Sequence, residues 1–127
     1  MTGRTLGVVT LRLDAGYCLL LGLAFLFAAP YVADVIPLPV TAIAILGGAV
    51  IAWSAAVIWM VARLPLHRAL RVVLIANLAA ALAMAGISLT APGFLAVFAL
   101  VAIAVDVAAF AGVQAIALAR LRTASRA

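Results

Sequence analysis

Four long stretches of apolar side chains, separated by short segments that hold four of the five prolines, organise this chain. They cover about residues 13–33, 41–62, 70–89 and 94–119. A hydrocarbon layer about 30 Å thick needs about 20 apolar residues of helix, so each stretch is long enough to cross it. The intervening "DVIPLPV", "RLPLHRA" and "TAPG" are rich in helix breakers and too short to hold a domain of their own. The pattern predicts an all-α membrane protein with four transmembrane helices in a single domain, residues 1–127. Short connections make consecutive helices antiparallel neighbours, so the expected architecture is an up-and-down bundle.

Composition supports this reading, with 71% hydrophobic residues, 9% charged and a mean hydropathy of +1.45. A soluble domain of 127 residues has too much surface to hide that much apolar area. The first run raises one competing reading. Arg4 and Arg12 precede an apolar stretch ending "AFLFAAPYVAD", which resembles a signal peptide. An uncleaved helix is expected instead, because cleavage would leave three spans with ends on opposite sides and discard the charge pattern.

That pattern is specific. The net charge is +5, from eight arginines against three acids, with no lysine. The arginines stand at 4, 12, 63, 68, 71, 120, 122 and 126, in the leading segment, the second connection and the tail. An even number of spans puts those three segments on one side, and the positive-inside rule makes that side cytoplasmic. The chain is thus expected in the cytoplasmic (inner) membrane, multi-pass, with both termini in the cytoplasm. Arginines placed beside apolar runs, rather than among aromatics, argue against nucleic acid. Arginine without lysine in an Ala- and Val-rich chain suggests a GC-rich genome such as an actinobacterium's.

Chemistry is sparse. The single Cys18 rules out an internal disulfide, a CxxC pair and a cysteine zinc cluster, and reads as a small apolar-phase side chain. HExxH, P-loop, GxSxG and paired-carboxylate patterns are absent, so no catalytic, cofactor or metal residue is assigned. His67 in "RLPLHR" reads as a solvated or headgroup contact. Small-residue stripes, Ala104, Ala108 and Gly112 in the fourth run and Gly48, Ala52 and Ala56 in the second, suggest tight helix contacts.

A few polar residues lie inside the runs. Asn77 is six residues from Arg71 and Gln114 six from Arg120, so both sit about 9 Å in. Cys18, Tyr17 and Trp59 fall near the same level. The expectation is that Asn77 and Gln114 bond each other or backbone, the alternative being a headgroup pocket with Tyr17 and Asn77 as donors. Asp14 is expected as an interfacial ion pair with Arg63, Arg68 or Arg71, while Arg12, Arg120 and Arg122 make further ion pairs or lipid contacts.

Asp106 is deeper, about 21 Å from Arg120 and about 18 Å from Phe94. A carboxylate there costs at least about 2.5 kcal/mol on insertion scales and should turn away from lipid. Gly47, Gly48, Ala49, Met84, Ala85 and Gly86 share its level, with Ser88 the nearest hydroxyl and no basic residue within reach. Three roles are open: a neutral acid bonded to Ser88 or backbone, a contact with another transmembrane helix, or a proton- or cation-coupling site.

With "LRLDAGYCLLLGLAFLFAA", "RVVLIANLAAALAMAGIS" and "VAAFAGVQAIALARLR", the chain resembles small four-helix integral membrane proteins of actinobacteria, mostly of unassigned function. The shared landmarks are Arg12, Asp14, Asn77 and Gln114. The resemblance implies a fold and brings no catalytic residues. Small multidrug transporters carry a membrane-embedded glutamate in helix one, which this chain lacks; vitamin K epoxide reductase-like proteins need redox cysteines, and fluoride channels a polar and phenylalanine signature not found here.

The expected function is a non-enzymatic accessory subunit of a larger cytoplasmic-membrane complex, with membrane lipids and a larger membrane protein as partners. A lipid transporter of the mycobacterial Mce type is one host that fits. The alternative is a small homo-oligomeric transporter or channel using Asp106; a lipid-modifying enzyme using Asp14 and His67 is a distant third. Asp106, Ser88, Asn77 and Gln114 are the intramembrane candidates under the first two.

Overall fold

A computed structural model describes residues 1–126, and the regular structure among them is helical. Five helices follow one another: α1 (Gly3–Phe27), α2 (Ala29–Ala33), α3 (Val40–Arg63), α4 (Leu66–Ser88) and α5 (Phe94–Arg126). Four of them, α1, α3, α4 and α5, are long and apolar enough to cross a membrane.

The helix boundaries differ from the edges of the apolar runs in ways the local chemistry explains. Helix α1 starts ten residues before its apolar run, because Thr2 caps it: the Thr2 hydroxyl accepts from the Thr5 N–H at 3.1 Å. It stops at Phe27, since Pro30 has no N–H to donate and its ring would strike the carbonyl of Leu26, four residues back. The chain resumes as the single turn and a half of α2, so the run at 13–33 is a long helix and a short one. Helices α3 and α4 begin directly after Pro39 and Pro65. Helix α4 thereby takes in "LHRA" ahead of its apolar run. Before α5, Gly93 adopts φ +90°, which lets "TAPG" reverse the chain. Helix α5 then continues past its apolar run through the good helix formers Arg120, Leu121 and Arg122.

Helix α1 is central and touches every other helix. Against α3 the backbones come close: a Cβ built on Gly47 would sit 2.6 Å from the Leu26 nitrogen and 2.7 Å from the Gly22 carbonyl oxygen. One step along the same contact, the Ser54 hydroxyl donates to the Ala15 carbonyl at 2.7 Å. The two pairs run in opposite senses along the chain, so α1 and α3 are antiparallel. Helix α5 also runs against α1, with Gly3 beside Arg120 and Tyr17 beside Asp106. Helix α4 runs with α1: the offset of 63 that separates Asp14 from Asn77 also separates Gly7 from Leu70.

Helices α4 and α5 pack on each other as extensively as α1 and α3 do, whereas α3 and α4 meet only slightly although they are consecutive. The order round the bundle is thus α3, α1, α5, α4, with its loosest seam between α3 and α4. Leu11, Ala15, Val57, Met60, Leu70, Val73 and Leu118 form an apolar core at the arginine-bearing end. The closest backbone approach is at Gly22 and Gly47, and Gly3 and Gly7 pack tightly against α5 and α4. Of the two expected small-residue stripes Ala104 is buried, but Gly48 and Gly112 are not close-packed, since an added Cβ at either would meet nothing within 4 Å.

This difference yields a paired test. Gly47→Ala forces backbone atoms apart and should lower stability by about 1–3 kcal/mol, whereas Gly48→Ala should leave it unchanged or slightly raise it through helix propensity. Thermal unfolding in detergent, followed by circular dichroism, measures both; equal effects would remove the close contact between α1 and α3.

Candidate functional site

The buried faces of three helices bring a carboxylate and two amides together. On α1 the buried positions include Gly7, Thr10, Leu11, Asp14, Ala15 and Gly22, a helical spacing that contains Asp14. On α5 they run Ala96, Leu100, Ala104, Val107, Ala111, Gln114 and Ala117, and on α4 Leu70, Val73 and Asn77. Asp14 is 1% exposed, Gln114 0% and Asn77 4%. The Asn77 side-chain amide donates to Asp14 Oδ2 at 2.6 Å and that of Gln114 to the same oxygen at 2.7 Å. The second Asn77 hydrogen reaches Gln114 Oε1 at 3.2 Å, and Cys18 Sγ lies 3.6 Å from Asp14 Oδ1. Among the described residues no buried side-chain nitrogen or oxygen lacks a partner.

Asp14 therefore does not form the arginine ion pair expected of it. Residues two apart on a helix point about 200° apart, so Arg12 faces out and Asp14 faces in. Arg12, Arg63, Arg68, Arg71, Arg120 and Arg122 are all exposed, and Arg120 donates to the Met1 carbonyl at 3.1 Å. Asn77 and Gln114 do bond each other, as glue whose centre is the carboxylate. That engagement uses both Asn77 amide hydrogens, which leaves none for a headgroup pocket with Tyr17 and Asn77 as donors. Asn77 does line a cavity of about 330 Å³ at the seam between α3 and α4, but Cys18, Trp53, Met84 and Val107 make the space largely apolar.

Asp106 lies elsewhere. It stands one residue before the buried Val107 and is exposed on the lateral surface of α5. The Tyr17 hydroxyl donates to its Oδ2 at 3.0 Å, and the Tyr17 ring packs tilted on Phe110, with centroids 5.6 Å apart. Ser88 is not its partner: that hydroxyl donates to the Ala85 carbonyl within α4, at 2.6 Å. Counting depth from Arg12 concealed the Tyr17 pair, because Gly3, not Arg12, lies opposite Arg120. From that contact Tyr17 and Asp106 are each fourteen residues along their helices, and so share a level.

A scan against protein-family models and searches of curated proteins and solved structures find no match to this chain. What the arrangement can do is read from the side chains alone. The enclosed Asp14 with its two amides offers no access to a reactant. His67 is exposed at the start of α4, and no contact joins it to Asp14 among the described residues. Among those residues, no group of three or more His, Cys, Asp or Glu could hold a metal ion. Among the described residues, Asp106 is the exposed carboxyl deep within the apolar zone.

The Asp14 cluster predicts energetic coupling. A double-mutant cycle with Asp14→Ala and Gln114→Ala should give a coupling of about 1–2 kcal/mol, above the average for membrane hydrogen bonds because a carboxylate is involved. Arg63→Gln should change stability by less than about 0.5 kcal/mol. Reversible unfolding in mixed micelles checks both, and a large Arg63 effect with no Asp14–Gln114 coupling would restore the ion-pair reading.

Proposed function

We propose that this chain is a non-enzymatic subunit of a larger membrane complex, docking sideways on another transmembrane protein through the face of α5 that carries Asp106. The observation that carries the reading is the exposure of Asp106 on that face, with the Tyr17 hydroxyl as its hydrogen-bond donor. Asp106 lies about 18 Å from Phe94 at the start of α5, well inside a layer about 30 Å thick. A carboxylate facing lipid there costs at least about 2.5 kcal/mol on insertion scales. A partner helix that supplies further donors, from an Arg, Ser, Asn or His side chain, removes that cost and gains specificity. The apolar flanks, Phe98, Val101 and Val105, are exposed on the same helix and provide the contact area.

The arrangement of charge supports an orientation. The start of α1, the α3–α4 connection and the end of α5 lie together at one end and carry all eight arginines. By the positive-inside rule this end faces the cytoplasm. The same Asp106 also supports the alternative, a homo-oligomer in which copies bring their Asp106 side chains to a shared path for protons or cations.

Extraction in mild detergent with a tag at the native locus, followed by native mass spectrometry, separates the two. The subunit reading expects a stoichiometric larger partner, whose recovery Asp106→Leu reduces about ten-fold while the unfolding midpoint of the isolated chain shifts little, as for other surface substitutions. Undiminished recovery with Asp106→Leu would sink it. A clean homo-oligomer whose flux in vesicles is abolished by Asp106→Asn, with assembly intact, would establish the transporter instead.

A further inference from the structure

The arginine-bearing end contains a second feature, independent of Asp106. The first turns of α1 and α4 and the last turns of α5 frame an open cavity of about 530 Å³. Its basic lining is Arg4 from α1, His67 and Arg71 from α4, and Arg122 from α5, over an apolar floor that includes Leu66 and Leu118.

Tight packing brings these charges together. A Cβ on Gly3 would stand 2.9 Å from the Arg120 Cβ, and one on Gly7 would stand 3.0 Å from Leu70 Cδ1. Helix α1 is thereby seated against both α4 and α5, and Arg4, one residue past Gly3, is held at the rim. Three guanidinium groups from three helices then face one space.

Among the described residues no acidic side chain stands beside them. The chain's acids number three: Asp14 is enclosed by Asn77 and Gln114, Asp106 is bonded by Tyr17, and Asp34 follows α2, at the opposite end from the arginines. Among the described residues no acid lines the cavity. Like charges gathered without a counter-charge repel each other, and an anion entering from outside relieves that repulsion. Guanidinium groups form paired hydrogen bonds with phosphate oxygens, which favours a phosphoryl group over a halide.

We infer that this cavity binds a phosphoryl group, with Arg71 and Arg122 as its main contacts and Arg4 and His67 at its edge. The apolar floor and the adjacent membrane surface favour the headgroup of an anionic lipid, whose acyl chains remain in the bilayer beside α4 and α5. A soluble phosphate ester shares the same chemistry.

The test uses the full chain in neutral detergent with three probes: dioleoyl phosphatidate, dioleoyl phosphatidylcholine and glycerol phosphate, with binding read by native mass spectrometry. Phosphatidate should bind about ten-fold more tightly than phosphatidylcholine. The double variant Arg71→Gln/Arg122→Gln should weaken it about ten-fold, whereas Arg63→Gln/Arg126→Gln, which removes equal charge outside the cavity, should not. Circular dichroism confirms that both fold, and Arg4→Gln provides a milder cavity variant if the first does not. Glycerol phosphate that binds with the same arginine dependence and displaces phosphatidate would uphold the phosphoryl site and make the soluble ester its source. Equal weakening by the two double variants, or no preference for phosphatidate together with no binding of glycerol phosphate, would overturn the inference.

Discussion

An enclosed carboxylate is the constraint around which the helices are arranged. Asp14 occupies a position on α1 that faces the other helices, and a charged group out of water is tolerable only where donors converge on it. The chain supplies those donors as amides, one from α4 and one from α5, both reaching Oδ2. Hydrogen bonds to a charged group contribute about 1.5–3 kcal/mol each, more than neutral ones. Lipid gives apolar helix faces little reason to prefer one another, so directed bonds of this kind select among arrangements that apolar packing leaves nearly equivalent. They tie α1 to α4 and α5 in one register, while the Gly22–Gly47 approach and the Ser54 bond fix α3 on the opposite side of α1. Little is then left to join α3 to α4, and their seam is where the apolar cavity opens.

Two aspartates in similar apolar surroundings thus have opposite fates, and helical register decides them. Asp14 coincides with the buried stripe of α1; Asp106 precedes Val107, which lies on the buried stripe of α5, and is turned about 100° from it. Tyr17, three residues on from Asp14, points to the flank of α1 and reaches Asp106 there. The inner acid is complete in itself. The outer acid remains exposed after Tyr17 has bonded it, and that difference separates the acid that holds the bundle from the acid left open at its lateral surface.

Much of this was legible in the sequence. Hydropathy and proline placement marked the four long helices, and the common depth of Asn77 and Gln114 anticipated their contact. The role of Asp14 is less legible, because nearness to Arg12 along the chain suggests an ion pair while residues two apart on a helix point in opposite directions. The spacing Gly7, Leu11, Asp14 and Cys18 is the signal that could have placed it inside. The Tyr17–Asp106 pair is obscured for another reason: the last arginine before the first apolar run does not mark the end of its helix. Arg12 is exposed on a helix that continues nine residues further toward the basic end, and a long arginine can extend along the surface to reach water. The glycine contacts depend on which faces meet, and in an Ala-rich chain small-residue spacing alone does not single out Gly22 and Gly47.

The basic end and the lateral acid follow from one imbalance. This chain has eight cations and three acids, but the shortage is more severe in space than in number. The arginines gather at the ends of α1, α3, α4 and α5, whereas Asp14 is held by amides and Asp106 lies fourteen residues along α5 from Arg120. Neutralising a guanidinium internally would require a free acid near the bundle end, and relieving Asp106 would require a base inside the apolar zone; among the described residues neither is found, since Asp14 is already held by amides. The charges are therefore left to the surroundings of the bundle, the basic end toward water and the membrane surface and Asp106 toward its lateral face. Among the described residues the buried polar side chains are all partnered, so the charge left unmatched is exterior charge, and helical register has sorted the two.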